Sequence, residues 1–528
     1  MFSSVRGLKR KIMGSKKYFG LTGDALNTLR IILIIAPSFI LYGYNIGVVG
    51  GLLTEEDWVK TFPQIDTVNT SGAEKSRNST LQGFIVATFT IGATLGSLSC
   101  SWTGDVFGRR NIIFFSAILT MIGEALMCSA FGLPQFTIGR VTCGLGIGQL
   151  SSIVPVWQSE TSAAANRGRQ VVISGCFMCL GYMLESWIDF GFFQFHTGPI
   201  TWRPPLAISI FFSIVLMASI SFFPESPRWL VMKGRSEQAR FVIAVLKSLP
   251  EDALEVQAEL AGIEYSLEET KGTAVSLKDM LKNGEDKLLY RFCLCMGLQF
   301  YQQMCGSNLV SVYAPILFQQ NLGMSSEQSR ILSGGTLTWK FLASFISFFT
   351  IDRFGRRAAF IISGSGMSLS MVALAVSTSF GKDNYAAQIS AAFWIFLYNT
   401  WIPIGLMGAN YLYCTEVAPL RLRMAMSSIS TANHWLFNFL VIMVTPIGIN
   451  SIGYRYYIVY AVIAFTFPIV VWLWFPETTG RNLEEIDLLF RESPSISATV
   501  KYAKTRPIAM PQEFRSEKDD KAAHLEDA

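Results

Sequence analysis

Twelve stretches of about twenty mostly apolar residues follow one another along the chain, and they restrict its fold more than any single motif does. They lie near residues 30–50, 80–103, 111–131, 135–156, 170–192, 205–223, 291–317, 331–351, 358–380, 387–412, 425–448 and 454–475. The bilayer core holds no water to satisfy backbone N–H and C=O groups, so runs of this length cross it as helices. Composition agrees. Of 528 residues 51% are hydrophobic and only 15% are charged, too few to coat a soluble surface. The expected fold class is an all-α integral membrane protein with twelve transmembrane helices.

An even number of spans leaves both termini on one side. Arg6, Lys9, Arg10, Lys11, Lys16, Lys17 and Arg30 stand against Asp24 alone before the first span, and the positive-inside rule puts them in the cytoplasm. Short loops carrying Arg109 and Arg110, Arg167 and Arg169, Arg353, Arg356 and Arg357, and Arg421 and Arg423 then share that side. No cleavable signal peptide is read before the first span. The outer loop 52–79 holds two N-x-S/T sequons, at Asn69 and Asn78, the latter close to the membrane. The expected setting is a multi-pass, glycosylated protein of the plasma membrane. Nine cysteines fall mostly within apolar runs, which suits helix packing and no metal.

Three loop motifs recur at a nearly constant offset. GDVFGRR (104–110) returns as IDRFGRR (351–357), SETSAAANRGR (159–169) as TEVAPLRLR (415–423), and PESPRWL (224–230) as PETTGRNL (476–483). The chain therefore divides into an N-terminal segment 1–29, a six-helix bundle 30–223, a cytoplasmic linker with short helices 224–288, a second bundle 289–475 of like orientation, and a C-terminal segment 476–528 whose polar tail from 491 reads as disordered. Parallel repeats of this kind enclose a site at the bilayer midplane and rock about it. The repeated charges suggest a bistable clamp at the inner face, pairing Asp105 with Arg109, Glu160 with Arg167, Asp352 with Arg356, and Glu416 with Arg423.

Taken together, the GR at 139–140, PVWQSE (155–160), RG (167–168), PESPRWL, QFYQQMCGSNLVSVYAP (299–315), DRFGRR, TEVAPLRLR and PETTGRNLEEID (476–487) make the chain resemble sugar porters of the major facilitator superfamily, most closely fungal hexose-type members. The resemblance runs from about residue 30 to 490. It implies carriage of a monosaccharide or related polyol by alternating access.

Residue chemistry supports that class. Sugar hydroxyls both give and accept hydrogen bonds, which suits side-chain amides, and the apolar C–H face of the ring suits aromatic side chains. Gln302, Gln303 and Asn308 are amides at bilayer depth with Tyr313 beyond them, and Gly306 and Pro315 allow the helix to unwind there. The resemblance makes these four line the cavity together with Tyr411, Trp435 and Asn438. His434 stands where an amide is common in the family.

Three departures bear on mechanism. Asn45 stands where proton-coupled members carry an aspartate facing the fourth-span arginine, here Arg140. An amide cannot titrate, so facilitated diffusion is expected, with proton symport through Glu124, Glu185, Asp189 or His434 as the alternative. Gly175 replaces a sugar-binding glutamine. Lys340 sits about ten residues, roughly 15 Å, from either end of its span, too deep to snorkel. It either donates to a substrate oxygen, which would favour an acidic sugar or hydroxy acid, or neutralises Glu185, Asp189 or Glu124.

No nucleophile–base pair appears in the soluble parts, and GLGIG (144–148) lies within a span, where small residues serve close packing rather than phosphate binding. The chain is read as no enzyme and as requiring no cofactor. Its expected partners are a small-molecule sugar or polyol, the lipid bilayer and, in the coupled alternative, protons; no nucleic acid is expected. A non-transporting sugar sensor is the rival class.

Overall fold

The computed structural model describes residues 17–505 apart from 163–166, 196–197, 269–276, 322, 381–383 and 482. All twelve apolar runs are helical. In order they are α1 (Ala36–Leu52), α2 (Gly72–Phe107), α3 (Arg109–Cys128), α4 (Leu133–Glu160), α5 (Arg167–Phe193), α6 (Arg203–Ile220), α7 (Leu288–Met304 and Ser307–Val312), α8 (Ser326–Phe354), α9 (Arg356–Ser379), α10 (Tyr385–Gly405 and Ala409–Val417), α11 (Arg423–Ile452) and α12 (Arg455–Trp474). Among the described residues, nine helices are apolar enough over their length to cross a bilayer unaided. The exceptions are α4, α7 and α8, which carry Arg140, the seventh-span amides and Lys340. They depend on neighbouring helices rather than lipid for their surroundings.

The two bundles meet along two helix pairs, α2 with α11 and α5 with α8. In the internal repeat α2 corresponds to α8 and α5 to α11, so the two seams are equivalent under the pseudo-symmetry of the halves. Within the first bundle α4 packs against α2 through GLGIG. A Cβ on Gly144 would fall 2.1 Å from the Phe89 carbonyl oxygen and one on Gly148 the same distance from that of Ala93. The segment is thus a packing strip, as its sequence context indicates.

The repeated FGRR turns adopt one geometry. Gly108 has φ 91° and ψ 164°, and Gly355 has φ 89° and ψ 165°, so each breaks its chain between two helices in a region that L side chains avoid. Behind each turn a carboxylate accepts two backbone N–H bonds. Glu225 takes those of Arg109 and Arg110, both at 3.1 Å, and Glu477 takes those of Arg356 and Arg357, both at 3.0 Å. These acids satisfy the orphan donors of α3 and α9 and meet the positive end of each helix dipole. A Cβ on Gly355 would lie 2.5 Å from Glu477 Oε2. Gly355→Ala is therefore expected to lower stability by about 1–3 kcal/mol through backbone strain and displacement of the cap, read as a fall in melting temperature of the purified protein.

Between the bundles the chain forms three short helices, Pro227–Met232, Ser236–Lys247 and Leu254–Glu268. Ile243, Val256 and Ile263 bury their apolar faces with Leu420 of the second half. The tail corrects the sequence reading, because it is ordered well past residue 491. Helices Leu483–Glu492 and Thr499–Thr505 fold back on the bundle, burying Phe490, Thr499 and Ala503. Arg481 donates to the Ala503 carbonyl at 2.9 Å, and burial rather than helix propensity holds so short a helix. Residues 506–528 lie outside the described part. Of the two sequons, Asn69 is exposed, whereas Asn78 is buried and donates to the Asp66 carbonyl at 2.8 Å, which leaves no room for a glycan there.

Candidate functional site

α7 breaks where the sequence allows it. Gly306, at φ +95°, separates Leu288–Met304 from Ser307–Val312, and this turn swings Asn308 back toward Gln303. Asn308 Nδ2 donates to Gln303 Oε1 at 2.9 Å and to Asn438 Oδ1 at 2.7 Å, while its own oxygen accepts from the Tyr182 hydroxyl at 3.3 Å. Gln303 Nε2 lies 2.8 Å from His434 Nε2, which also lies 2.8 Å from the Tyr42 hydroxyl. Gln302 accepts from Asn410, which also donates to Gln299 at 3.0 Å. Tyr411, Trp435 and the Tyr42 ring close round His434, with Trp435 4.9 Å from Tyr42 and donating to Ser151 Oγ at 3.1 Å across the seam. Tyr313 turns away, its hydroxyl donating to the Ile442 carbonyl at 2.8 Å.

Six of the eight expected substrate-contacting residues, Gln302, Gln303, Asn308, Tyr411, Trp435 and Asn438, thus gather in one buried cluster on the second half, against which the first half sets Tyr42 and Tyr182. Asn438 Nδ2 and Asn410 Oδ1 are buried without a hydrogen-bond partner among the described residues. A hydroxylated guest can satisfy such groups, and water-free burial without one is unfavourable. Asn410 was missed in the sequence because nothing distinguishes an amide beside Tyr411 from ordinary interhelical bonding.

Lys340 is fully buried. Its ammonium donates to Ser311 Oγ at 2.7 Å and stands 4.5 Å from the centre of the Tyr182 ring. No carboxylate lies within ion-pair distance of it among the described residues, so the expected direct neutralisation of Glu185, Asp189 or Glu124 is not what the fold builds. A hydroxyl and a ring face solvate the charge instead.

At the first-span position Asn45 Nδ2 donates to Glu124 Oε1 at 2.9 Å, and Ser213 donates to the other oxygen at 2.9 Å. Arg140 reaches the backbone, not the Asn45 side chain. It donates to the Asn45 carbonyl at 3.0 Å and the Val86 carbonyl at 2.8 Å, over the face of Phe89. The amide that replaces a carboxylate on α1 therefore holds one supplied by α3.

The charged face near the termini carries two copies of one triad. Arg109 bridges Asp105 at 2.9 Å and Glu160 at 3.0 Å, and Arg356 bridges Asp352 at 2.8 Å and Glu416 at 2.9 Å. The expected pair of Glu416 with Arg423 is replaced, because the Arg356 guanidinium at the start of α9 forks onto both acids at once, whereas the expected pair of Glu160 with Arg167 falls outside the described residues. Arg423 turns to the Thr415 carbonyl at 3.1 Å, and its charge acts on Glu160 of the other half. The Arg167 side chain lies outside the description. Asp352 accepts the backbone N–H of Arg169 at 2.8 Å, joining the halves on this face.

At the opposite end Arg330 of α8 joins them again. It pairs with Glu55 at 3.0 Å and donates to the Gly51 carbonyl at 2.8 Å and to Thr54 Oγ1 at 2.7 Å. Burial holds the Glu55 carboxyl above its ordinary range, and Arg330 draws it back. Neither residue announces itself in sequence, since each sits at a span end where charges are common.

Comparison with known proteins agrees with this geometry. Residues 31–490 match the family model for "Sugar (and other) transporter". The chain is 33% identical over 493 residues to sugar transporter STL1 of Saccharomyces cerevisiae, covering 93% of this chain and 85% of that one. It is 29% identical over 482 residues to the high-affinity fructose transporter ght6 of Schizosaccharomyces pombe, covering 88% and 87%. Among solved structures, the proton:xylose symporter XylE bound to 6-bromo-6-deoxy-D-glucose superimposes with a TM-score of 0.76 at 23% identity, over 88% of this chain and 98% of that one. The inward-open form of XylE from E. coli gives 0.65 at 22% identity, over 87% and 99%. The chain belongs to the sugar porter family of the major facilitator superfamily and has its two-bundle fold.

Proposed function

We propose that this protein carries a monosaccharide or related polyol across the plasma membrane by alternating access, with its termini in the cytoplasm and Arg330–Glu55 on the outer side. The observation that carries the reading is the buried amide cluster of Asn308, Gln303, Gln302 and Asn438, which offers both donors and acceptors beside Tyr411 and Trp435. Charge-neutral hydroxyls match it better than carboxylates do, because Lys340 spends its charge on Ser311 and Tyr182, one shell away. That placement weighs against a carrier for acidic sugars.

Asn45 itself cannot move a proton, which is the ground for expecting a uniporter. The geometry favours the coupled alternative, because carboxylates lie buried in the helix bundle, one of them, Asp189, with neither oxygen hydrogen-bonded among the described residues. The test is radiolabelled uptake of D-glucose, D-fructose, D-xylose and D-sorbitol in cells lacking their own carriers, with and without a protonophore. Accumulation of at least one compound that collapses with the gradient supports the reading. Uptake of none of them would remove it.

A further inference from the structure

α5 places Glu185 and Asp189 one turn apart on a single face, and both are 96% buried, each only 4% exposed. They face a glycine stripe on α1. A Cβ on Gly47 would fall 2.3 Å from Glu185 Oε1, and one on Gly51 would fall 2.3 Å from Asp189 Oδ2. The run LYGYNIGVVGGLL is thus shaped to seat two carboxyl groups between helices. Around them lies a cavity of about 20 Å³, bordered by Ser311, Arg330 and Ser333 of the other half, so it sits on the moving seam. That space holds about one water. Both Asp189 oxygens and the Ser333 hydroxyl lack any hydrogen-bond partner among the described residues. Glu124, by contrast, receives a donor on each oxygen.

The charged and titratable groups facing the pair are Tyr44 from α1, Glu55 beyond its end and Arg330 from α8; Tyr182 shares its helix and is faced by Tyr411 of α10, while Lys340 of α8, beside Cys179, reaches the cavity wall through Ser311. Among the described residues the three carboxylates Glu185, Asp189 and Glu55 therefore face one guanidinium, Arg330, which Glu55 already engages, and Lys340 spends its charge on Ser311 and Tyr182. Positive charge is short in a closed, nearly dry site, where an uncompensated carboxylate is strongly unfavourable.

We infer that the Glu185–Asp189 pair binds one proton when the outer face closes, and that this proton is the coupling ion of the transport cycle. The inference rests on the transporter reading above. Hydronium on the outer side gives its proton to a carboxylate oxygen, forming an O–H bond and leaving water; water on the inner side later removes it as hydronium. A metal cation fits poorly, since the Arg330 guanidinium borders the cavity and Ser311 already accepts from Lys340. The link to substrate is physical. Ser311 lines the cavity and binds Lys340, Lys340 lies over Tyr182, and the Tyr182 hydroxyl bonds Asn308 in the amide cluster. A guest that engages Asn308 shifts Tyr182 and with it the Lys340 ammonium that bonds Ser311 at the cavity wall.

The test uses the full-length protein in liposomes with an internal pH dye. The probes are D-fructose, D-xylose and D-sorbitol, in sodium or choline medium, with equilibrium exchange of the labelled compound measured in parallel. Wild-type protein should acidify the lumen on addition of a transported compound, equally in both media. Asp189→Asn and Glu185→Gln should each cut that proton entry at least tenfold while exchange persists, which also reports that the variants are folded. Proton entry at the wild-type rate in both variants would overturn the inference. So would dependence on sodium, exchange by wild type without proton entry, or loss of exchange together with proton entry in both variants, which would make the pair part of the frame. Absence of exchange in the wild type would overturn the transporter reading as well.

Discussion

Arg356→Ala is expected to destabilise the purified protein by about 3–5 kcal/mol, the magnitude associated with breaking a buried ion pair from one side. Arg356 is nearly inaccessible and holds Glu416 by two bonds, Asp352 by one and Thr479 Oγ1 by another. Its loss strands the buried Glu416 carboxylate, which keeps one bond, from Thr478 at 2.7 Å, among the described residues. The measurement is a thermal melt in detergent, followed by loss of the monodisperse fraction. Adding Glu416→Gln to Arg356→Ala should recover part of the lost stability, since it removes the stranded charge. An unchanged melting temperature in Arg356→Ala would mean that the triad is solvated and contributes nothing to the fold.

Asn308→Leu is expected to lower kcat/KM for the transported compound by about a hundredfold or more, since orphaned buried polar groups cost about 1–3 kcal/mol each. Leucine removes the donor that serves Gln303 and Asn438 and the acceptor that serves Tyr182. Volume is nearly kept, so the amides rather than the packing are tested. The measurement is initial uptake over a range of concentrations, normalised to folded protein at the membrane. A loss under threefold would show that Asn308 ties helices together and does not meet substrate. A residual preference among sugars in Gln303→Leu would then locate recognition elsewhere in the cluster.

The helices, the halves and most of the amide cluster were legible in the sequence, for separable reasons. Apolar length reports a bilayer span directly. The doubled FGRR and PES/PET segments reported the repeat, and their shared turn geometry, with Glu225 and Glu477 as matching caps, is its structural counterpart. Gln302, Gln303 and Asn308 stood out because uncharged hydrogen-bonding groups at depth need a purpose. Pairings were less legible. Nearness along the chain favours Arg423 for Glu416, yet the helix that starts at Arg356 brings its guanidinium to that acid first. Lys340 was recognised as too deep to reach water, but its partners, a hydroxyl and an aromatic face, carry no sequence signature. The Arg330–Glu55 contact joins residues far apart in the chain and could come only from the fold.

The capping carboxylates have a consequence for biogenesis. Glu225 closes its turn with residues that all precede position 230, and Glu477 does the same for residues after 350. Each lobe therefore carries its own latch, fastened by the last charged segment of that lobe to leave the ribosome. The first lobe can lock before the second is synthesised, so a nascent chain arrested in the linker should already resist protease at the GDVFGRR turn.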